Sequence, residues 1–225
     1  MTEGRDITEI GKEDRDRPGL YLISPSQIDL DSFASELETA LKAGPVAAFQ
    51  LRLKDADDSH IIQSAKTLKP ILDAHDVALV INDRADIAKQ VGADAVHLGQ
   101  QDGSVKEARE LLGFDVAIGV TCHGSRHLAM TAGDQGADYV AFGAFHPSNT
   151  KIPPEIADIS ILDWWTSLSE LPCVAIGGIT VENCRPILEA GADMIAVSAG
   201  VWAYSDGPGA AITAFNAVID EVYAP

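Results

Sequence analysis

Basic residues are scarce in this chain. Sixteen lysines and arginines stand against 34 aspartates and glutamates, for a formal net charge of -18. A surface that acidic repels phosphate backbones and anionic lipid, which argues against nucleic acid and membrane surfaces as partners. Cysteine is scarcer still: Cys122, Cys173 and Cys184 show no C-x-x-C spacing. An odd, sparse set suits a reducing cytosol better than a disulfide framework. No apolar run approaches the roughly 18 residues of a membrane helix. The start of the chain, "MTEGRDITEIGKEDRDRPG", has no apolar stretch before a small-residue cleavage site, so no secretory signal is read there. Low-complexity segments and linkers are missing as well.

What is present is a repeat. "GADAVHLGQ" begins at Gly92, "GADYVAFGA" at Gly136 and "GADMIAVSA" at Gly191, 44 and 55 residues apart. Half of each interval suits one strand plus one helix. Five further runs, "GLYLISP", "VAAFQLRL", "VALVIND", "VAIGVTC" and "CVAIGG", bring the strand candidates to eight. Most are apolar on both faces, as expected in a parallel sheet covered on both sides. Between them lie helical patterns. "LDSFASELETALKAG" has Asp31 as its expected cap and Gly44 as its stop, and six more follow, from "DSHIIQSAKTLKPILDAH" to "GAAITAFNAVIDEVY". Eight such units predict an α/β fold, a single (β/α)8 TIM barrel over residues 18–225 behind a flexible tail at 1–17. A doubly wound open sheet is the alternative, but the first strand lacks a Gly-rich fingerprint. Trp164 and Trp165 are read as packing a helix onto the barrel.

In a barrel the chemistry lies where strands run into βα loops. Gln50, Arg52 and Lys54 alternate with apolar residues, so period two predicts one shared face. Turning that face outward would bury two cations without partners, so it is expected to point inward near the mouth, either as an anion site or as an internal ion-pair network. The third strand ends in Asn82–Asp83 and the fourth leads through His97 and Gln100 to Asp102. Two aspartates on adjacent strand ends suit a magnesium ion that completes its shell with substrate phosphate; Asn-Asp equally suits a helix cap. The fifth strand offers Thr121 and His123. After the sixth, "HPSNTK" puts Ser148, Thr150 and Lys151 within four positions. After the seventh and eighth come Gly177–Gly178 and Ser198–Ala199–Gly200, where backbone N–H groups can approach an anion. A Gly-Gly pair also suits an ordinary tight turn. Taken together, these ends describe two phosphate cradles and a divalent cation in an otherwise acidic protein, with the loop after strand six as an anion grip rather than a solvated turn.

"QLRLK", "IND", "VHLGQQD", "GVTCH", "HPSNTK", "AIGGIT" and "VSAG", in that order, resemble the thiamine phosphate synthase family over about residues 19–222. The resemblance implies a (β/α)8 transferase that joins a hydroxymethylpyrimidine diphosphate to a hydroxyethylthiazole phosphate and releases diphosphate, with Mg2+ as cofactor. It implies that Gln50, Arg52 and Lys54 bind the pyrimidine diphosphate, the two cations on its phosphates, with Asn82 touching the same substrate. Asp83 and Asp102 would hold the magnesium. Thr121 stands near the pyrimidine where the family usually has serine. Ser148 and Thr150 would flank the thiazole, Lys151 would contact the diphosphate, and Gly178, Ser198 and Ala199 would bind the thiazole phosphate through backbone. The catalytic set would be Arg52, Lys54, Thr121 and Lys151. Ser148 departs from the family's threonine, and His146 from an aromatic or similar residue. A related thiazole tautomerase, with His123 as acid–base, and a non-catalytic phosphate-ligand barrel are the rival readings. Association with copies of itself is left open.

Overall fold

The structure, a computed structural model, describes residues 17–147 and 156–223. Eight strands alternate with helices. They are β1 (Gly19–Ile23), β2 (Ala48–Leu51), β3 (Ala78–Asn82), β4 (Ala95–Leu98), β5 (Ala117–His123), β6 (Tyr139–Gly143), β7 (Cys173–Ile176) and β8 (Met194–Val197). Each pairs in parallel with its neighbours in sequence, and β1 pairs with β8, which closes the barrel. The helices are α1 (Leu30–Leu41), α2 (Asp58–Asp73), α3 (Ala85–Val91), α4 (Val105–Leu112), α5 (Arg126–Asp134), α6 (Ser160–Leu168), α7 (Arg185–Glu189), α8 (Ala199–Trp202) and α9 (Pro208–Tyr223). Among the described residues no helix is long and apolar enough to cross a membrane.

The eight expected strands are all found. Two helices, α3 and α8, were not expected. The seven-residue α3 has Arg84 at its N-cap position and no side-chain cap; α8 spans four residues. A second difference concerns α1. Its cap is Asp29, whose carboxylate accepts from Ser32 N at 3.1 Å. Asp31 lies in the first turn, where its charge still favours the helix N-terminus. A third is that β2 stops at Leu51. Arg52 and Lys54 therefore lie beyond the strand, their amides donating to Ser24 Oγ and the Ser26 carbonyl.

Period-two alternation separates two cores. Leu20, Leu22, Phe49, Leu51, Leu79 and Ile81 face the helices. Tyr21, Ile23, Val80, Tyr139, Val174 and several alanines fill the barrel interior. Because most interior positions are small, the two tyrosines span it. Gly119 makes this fit: a Cβ there would stand 1.9 Å from Tyr139 Cζ.

The Gly-Ala-Asp repeat is explained at the foot of the barrel. Gly92, Gly136 and Gly191 have φ of 65°, 87° and 96° and follow α3, α5 and α7, stopping each helix in the left-handed region. Ala93, Ala137 and Ala192 are buried. Asp94, Asp138 and Asp193 each brace the preceding strand, their Oδ2 atoms accepting from Leu79 N at 2.8 Å, Ile118 N at 2.6 Å and Cys173 N at 2.7 Å. Their own amides donate back to the carbonyls of the same three residues.

Arg17, the last residue of the expected tail, bonds Asp220 on α9 and Asn216, both at 2.7 Å; the rest of that tail lies outside the described residues. Ser64 on α2 is fully buried and its hydroxyl has no partner. Removing an unsatisfied buried hydroxyl relieves its desolvation cost, so Ser64→Ala is expected to raise stability by about 1 kcal/mol. A lower urea midpoint in the variant would contradict this.

Candidate active site

The mouth is built outward from β3 and β4. Asp83 follows β3 with φ 63°, a conformation non-glycine residues rarely adopt. Its amide donates to the His97 carbonyl at 2.8 Å, and its Oδ2 accepts from Asn82 Nδ2 at 2.5 Å. The next residue, Arg84, is held by a fork to Asp58 at 2.5 and 2.8 Å and by Asp86 at 2.7 Å. Asn82 and Asp83 do not cap α3, which disposes of the alternative left by the sequence. Asp102, beyond β4, accepts from Gly99 N at 3.1 Å. A Cβ on Gly99 would stand 2.4 Å from that same carboxylate oxygen.

The Asp102 carboxyl stands near enough to Asp83 to act on it. Burial first, and the Asp102 carboxyl second, push Asp83 up to about 6, against the Arg52 guanidinium, which lowers it. Both aspartates also line a cavity of about 290 Å3 between α3 and α4. Three non-glycine residues at the mouth hold positive φ: Asp55 at 59°, Asp83 at 63° and His123 at 52°. Such strain persists where the surrounding structure imposes it and clusters at functional sites. His123 sits where the β5–β6 register shifts.

Below the rim a line of buried polar groups crosses the barrel. Gln50 Nε2 donates to the Tyr21 hydroxyl at 3.1 Å. That hydroxyl lies 3.2 Å from the Tyr139 hydroxyl, which lies 3.0 Å from His97 Nδ1. His97 Nε2 is 2.8 Å from Thr121 Oγ1. Burial first and Arg52 second lower His97 to about 4, so the ring is neutral. Gln50 and Thr121, both singled out from sequence, are thus brought into one structure. His97, Tyr139 and Tyr21 received no role from sequence.

Across the mouth the glycines have a more local reason than expected. A Cβ on Gly178 (φ 66°) would stand 2.6 Å from the Pro147 carbonyl oxygen and 2.7 Å from that of His146, and one on Gly200 would stand 2.6 Å from the Ile179 carbonyl oxygen. Loop backbone thus already demands both glycines. Ser198 Oγ donates to the Ser24 carbonyl at 3.3 Å, and Trp202 Nε1 to that of Ile23 at 2.7 Å, which fixes the turn carrying Ala199 against β1. Ser148, Thr150 and Lys151 lie outside the described residues.

A family model described as thiamine monophosphate synthase matches residues 20–201. The chain belongs to the thiamine monophosphate synthase family. Curated relatives agree. A thiamine-phosphate synthase of Rhodospirillum centenum is 54% identical over 200 residues, covering 89% of this chain and 97% of the relative. One of Hyphomonas neptunium is 50% identical over 213 residues, covering 92% and 96%. The solved thiamine phosphate pyrophosphorylase of Pyrococcus furiosus superposes with a TM-score of 0.79 at 30% identity, over 92% of this chain and 98% of that one. Members of this family are transferases, and the chain is one by membership.

Within that family frame the residues missed from sequence have a simple signature. His97 and Tyr139 occupy inward positions of β4 and β6, and the register sets Gly119 beside each of them. The glycine opposite these inward rings marks them only once the register is known. Lys54 and Asp102 are exposed on the rim, whereas Arg52 is half-buried and close enough to act on both Asp83 and His97.

Proposed function

We propose that the chain joins 4-amino-2-methyl-5-hydroxymethylpyrimidine diphosphate to hydroxyethylthiazole phosphate, giving thiamine phosphate and diphosphate. The observation that carries this reading is the carboxylate pair beside Arg52. Two carboxyls set against each other at one rim, one strained and pushed up to about 6, suit a hard cation. Among the described residues no group of three or more His, Cys, Asp and Glu is placed to hold a metal. A magnesium ion would therefore take Asp83 and Asp102 and complete its shell with water and substrate oxygens, as that ion commonly does. When bound, it neutralises charge on the diphosphate.

The chain's own residues do the rest. Arg52, Lys54 and Lys151 draw the diphosphate to one side of the mouth and stabilise charge as the methylene–oxygen bond breaks and its electron pair leaves with diphosphate. Gln50, Asn82 and Thr121 hold the pyrimidine, whose amino group feeds electrons into the methylene left behind. Ser148 and Thr150 flank the thiazole, and Gly178, Ser198 and Ala199 offer backbone to its phosphate. The thiazole nitrogen then closes the new carbon–nitrogen bond. It carries no proton, so no general base is required, and the work is positioning and electrostatics. The three free cysteines, all buried, suit a cytosolic setting, and residues 18–225 act as one catalytic barrel.

The test is an assay of purified protein with both substrates, with and without magnesium. Thiamine phosphate formation that collapses on chelation is expected. Equal turnover without the metal removes the assignment of Asp83 and Asp102, and rearrangement of the thiazole phosphate without any pyrimidine substrate would favour the tautomerase.

A further inference from the structure

Four hydrogen bonds link Gln50, Tyr21, Tyr139, His97 and Thr121 into a single chain across the barrel, from β2 to β5. The links between its ends are hydroxyls, or an imidazole carrying one proton. Each therefore has one proton to give and at least one lone pair with which to take another. Only two arrangements satisfy all four bonds and also use every one of those protons. In the first, Gln50 donates to Tyr21, Tyr21 to Tyr139, Tyr139 to His97 Nδ1, and His97 Nε2–H to Thr121. In the second every bond runs the other way, the Gln50 amide turned so that its carbonyl accepts. A mixed pattern makes one tyrosine hydroxyl accept twice, with its own proton buried and unpaired, or puts a second proton on the buried imidazole. Leaving any of these groups unpaired costs the desolvation of a buried polar atom. The structure sets Gln50 Nε2 on the Tyr21 hydroxyl, the sense of the first arrangement at that end of the chain.

We propose that Tyr21, Tyr139 and His97 are positioning residues that form a polarity relay, tying the hydrogen-bonding sense of Gln50 to that of Thr121. In the observed sense the Gln50 carbonyl oxygen stays free to accept, and the Thr121 hydroxyl proton stays free to be donated. The mouth thus reads a ligand's donor and acceptor as one unit. A donor at Gln50 goes with an acceptor at Thr121, the pattern of an aminopyrimidine's exocyclic amine and ring nitrogen. An oxo-pyrimidine, with the reverse pattern, requires the whole chain to invert. The ligand half of this inference rests on the reading given above; the relay itself does not. Gly119 belongs to the device, since only a glycine there leaves room for the Tyr139 ring.

The relay makes a remote prediction that is free of substrate and catalysis. Nitrogen-15 NMR of the ligand-free protein at pH 8 reads the His97 tautomer directly. Wild type is expected to hold the Nε2–H form. Gln50→Glu introduces a carboxylate that can only accept, so every link reverses and His97 becomes Nδ1–H, three hydrogen bonds away. With Tyr139→Phe also present the chain is cut, and Gln50→Glu no longer changes the tautomer. An unchanged tautomer in Gln50→Glu, or a change that survives Tyr139→Phe, overturns the relay. If Gln50→Glu does not fold, Thr121→Val carries the test from the other end: Nε2–H loses its acceptor, so every link reverses, and a Gln50 side-chain amide that keeps its wild-type NMR shifts sinks the idea. In kinetics, Tyr139→Phe is expected to narrow the preference for amino- over oxo-pyrimidine diphosphate by about tenfold, the scale of one hydrogen bond to a paired site. A tautomer that responds in a protein unable to make thiamine phosphate leaves the relay standing and removes the ligand reading.

Discussion

Asp83→Asn is expected to lower turnover by about 10²- to 10³-fold, the scale of losing one preorganised electrostatic contact, and to raise the magnesium needed for half activity. The effect on stability runs the other way. Burial and Asp102 raise the folded value of Asp83 to about 6. A carboxyl raised in this manner stabilises the fold below its unfolded value, near 4. That contribution is lost as pH climbs through about 6, and above it the fold carries two adjacent charges. The metal-free variant is therefore expected to be more stable than wild type at pH 8 by about 1 kcal/mol, after allowance for solvent screening of this half-exposed group. Near pH 4.5 the difference disappears. Magnesium offsets the repulsion in wild type, so it raises that protein's melting temperature at pH 8 and leaves the variant's almost unmoved. Equal magnesium shifts in both proteins, measured by calorimetry, would place the cation elsewhere.

Arg52→Ala carries the second large effect, again about 10²- to 10³-fold in turnover. The guanidinium bears on Asp83 and His97 together, lowering both, and in the proposed reaction it also faces the diphosphate. Charge on the leaving group grows only as the bond breaks, so kcat falls further than KM rises. Arg52→Lys recovers part of the loss at most, because an ammonium does not reproduce a planar fork. Without Arg52 only the Asn82 amide holds Asp83 down, and its protonation moves to higher pH. The acid limb of the pH–rate profile therefore shifts upward. Folding survives, since the structural bond of Arg52 is its backbone amide to Ser24 Oγ at 2.9 Å. Turnover within tenfold of wild type, or an acid limb that does not move, would separate Arg52 from the site.

The barrel was legible because its strands are continuous apolar runs punctuated by the same Gly-Ala-Asp phrase, and because their number closes a ring. The element boundaries were less so. Asp29 and Asp31 both precede or open an apolar helical pattern, and only the backbone decides which of them caps. α3 has neither a capping side chain nor the length to show a period. At the mouth, residues that are charged and adjacent in sequence, such as Asn82–Asp83, were visible. The interior relay was not. Tyr139 sits within "GADYVAFGA" and reads as one more apolar strand residue, and His97 looks solitary inside "AVHLG". Their partners come from β1, β2 and β5, and no local pattern announces a contact between residues so far apart along the chain.

The three braced aspartates place the sequence's most conspicuous phrase at the end of the strands away from the mouth, where it touches no proposed ligand. Bracing and recognition are therefore written at opposite ends of the barrel. Side chains on the rim can be exchanged without loosening a single brace, and the braces can be copied from strand to strand without disturbing what the rim holds. An architecture divided in this way is free to change its ligand while keeping its shape.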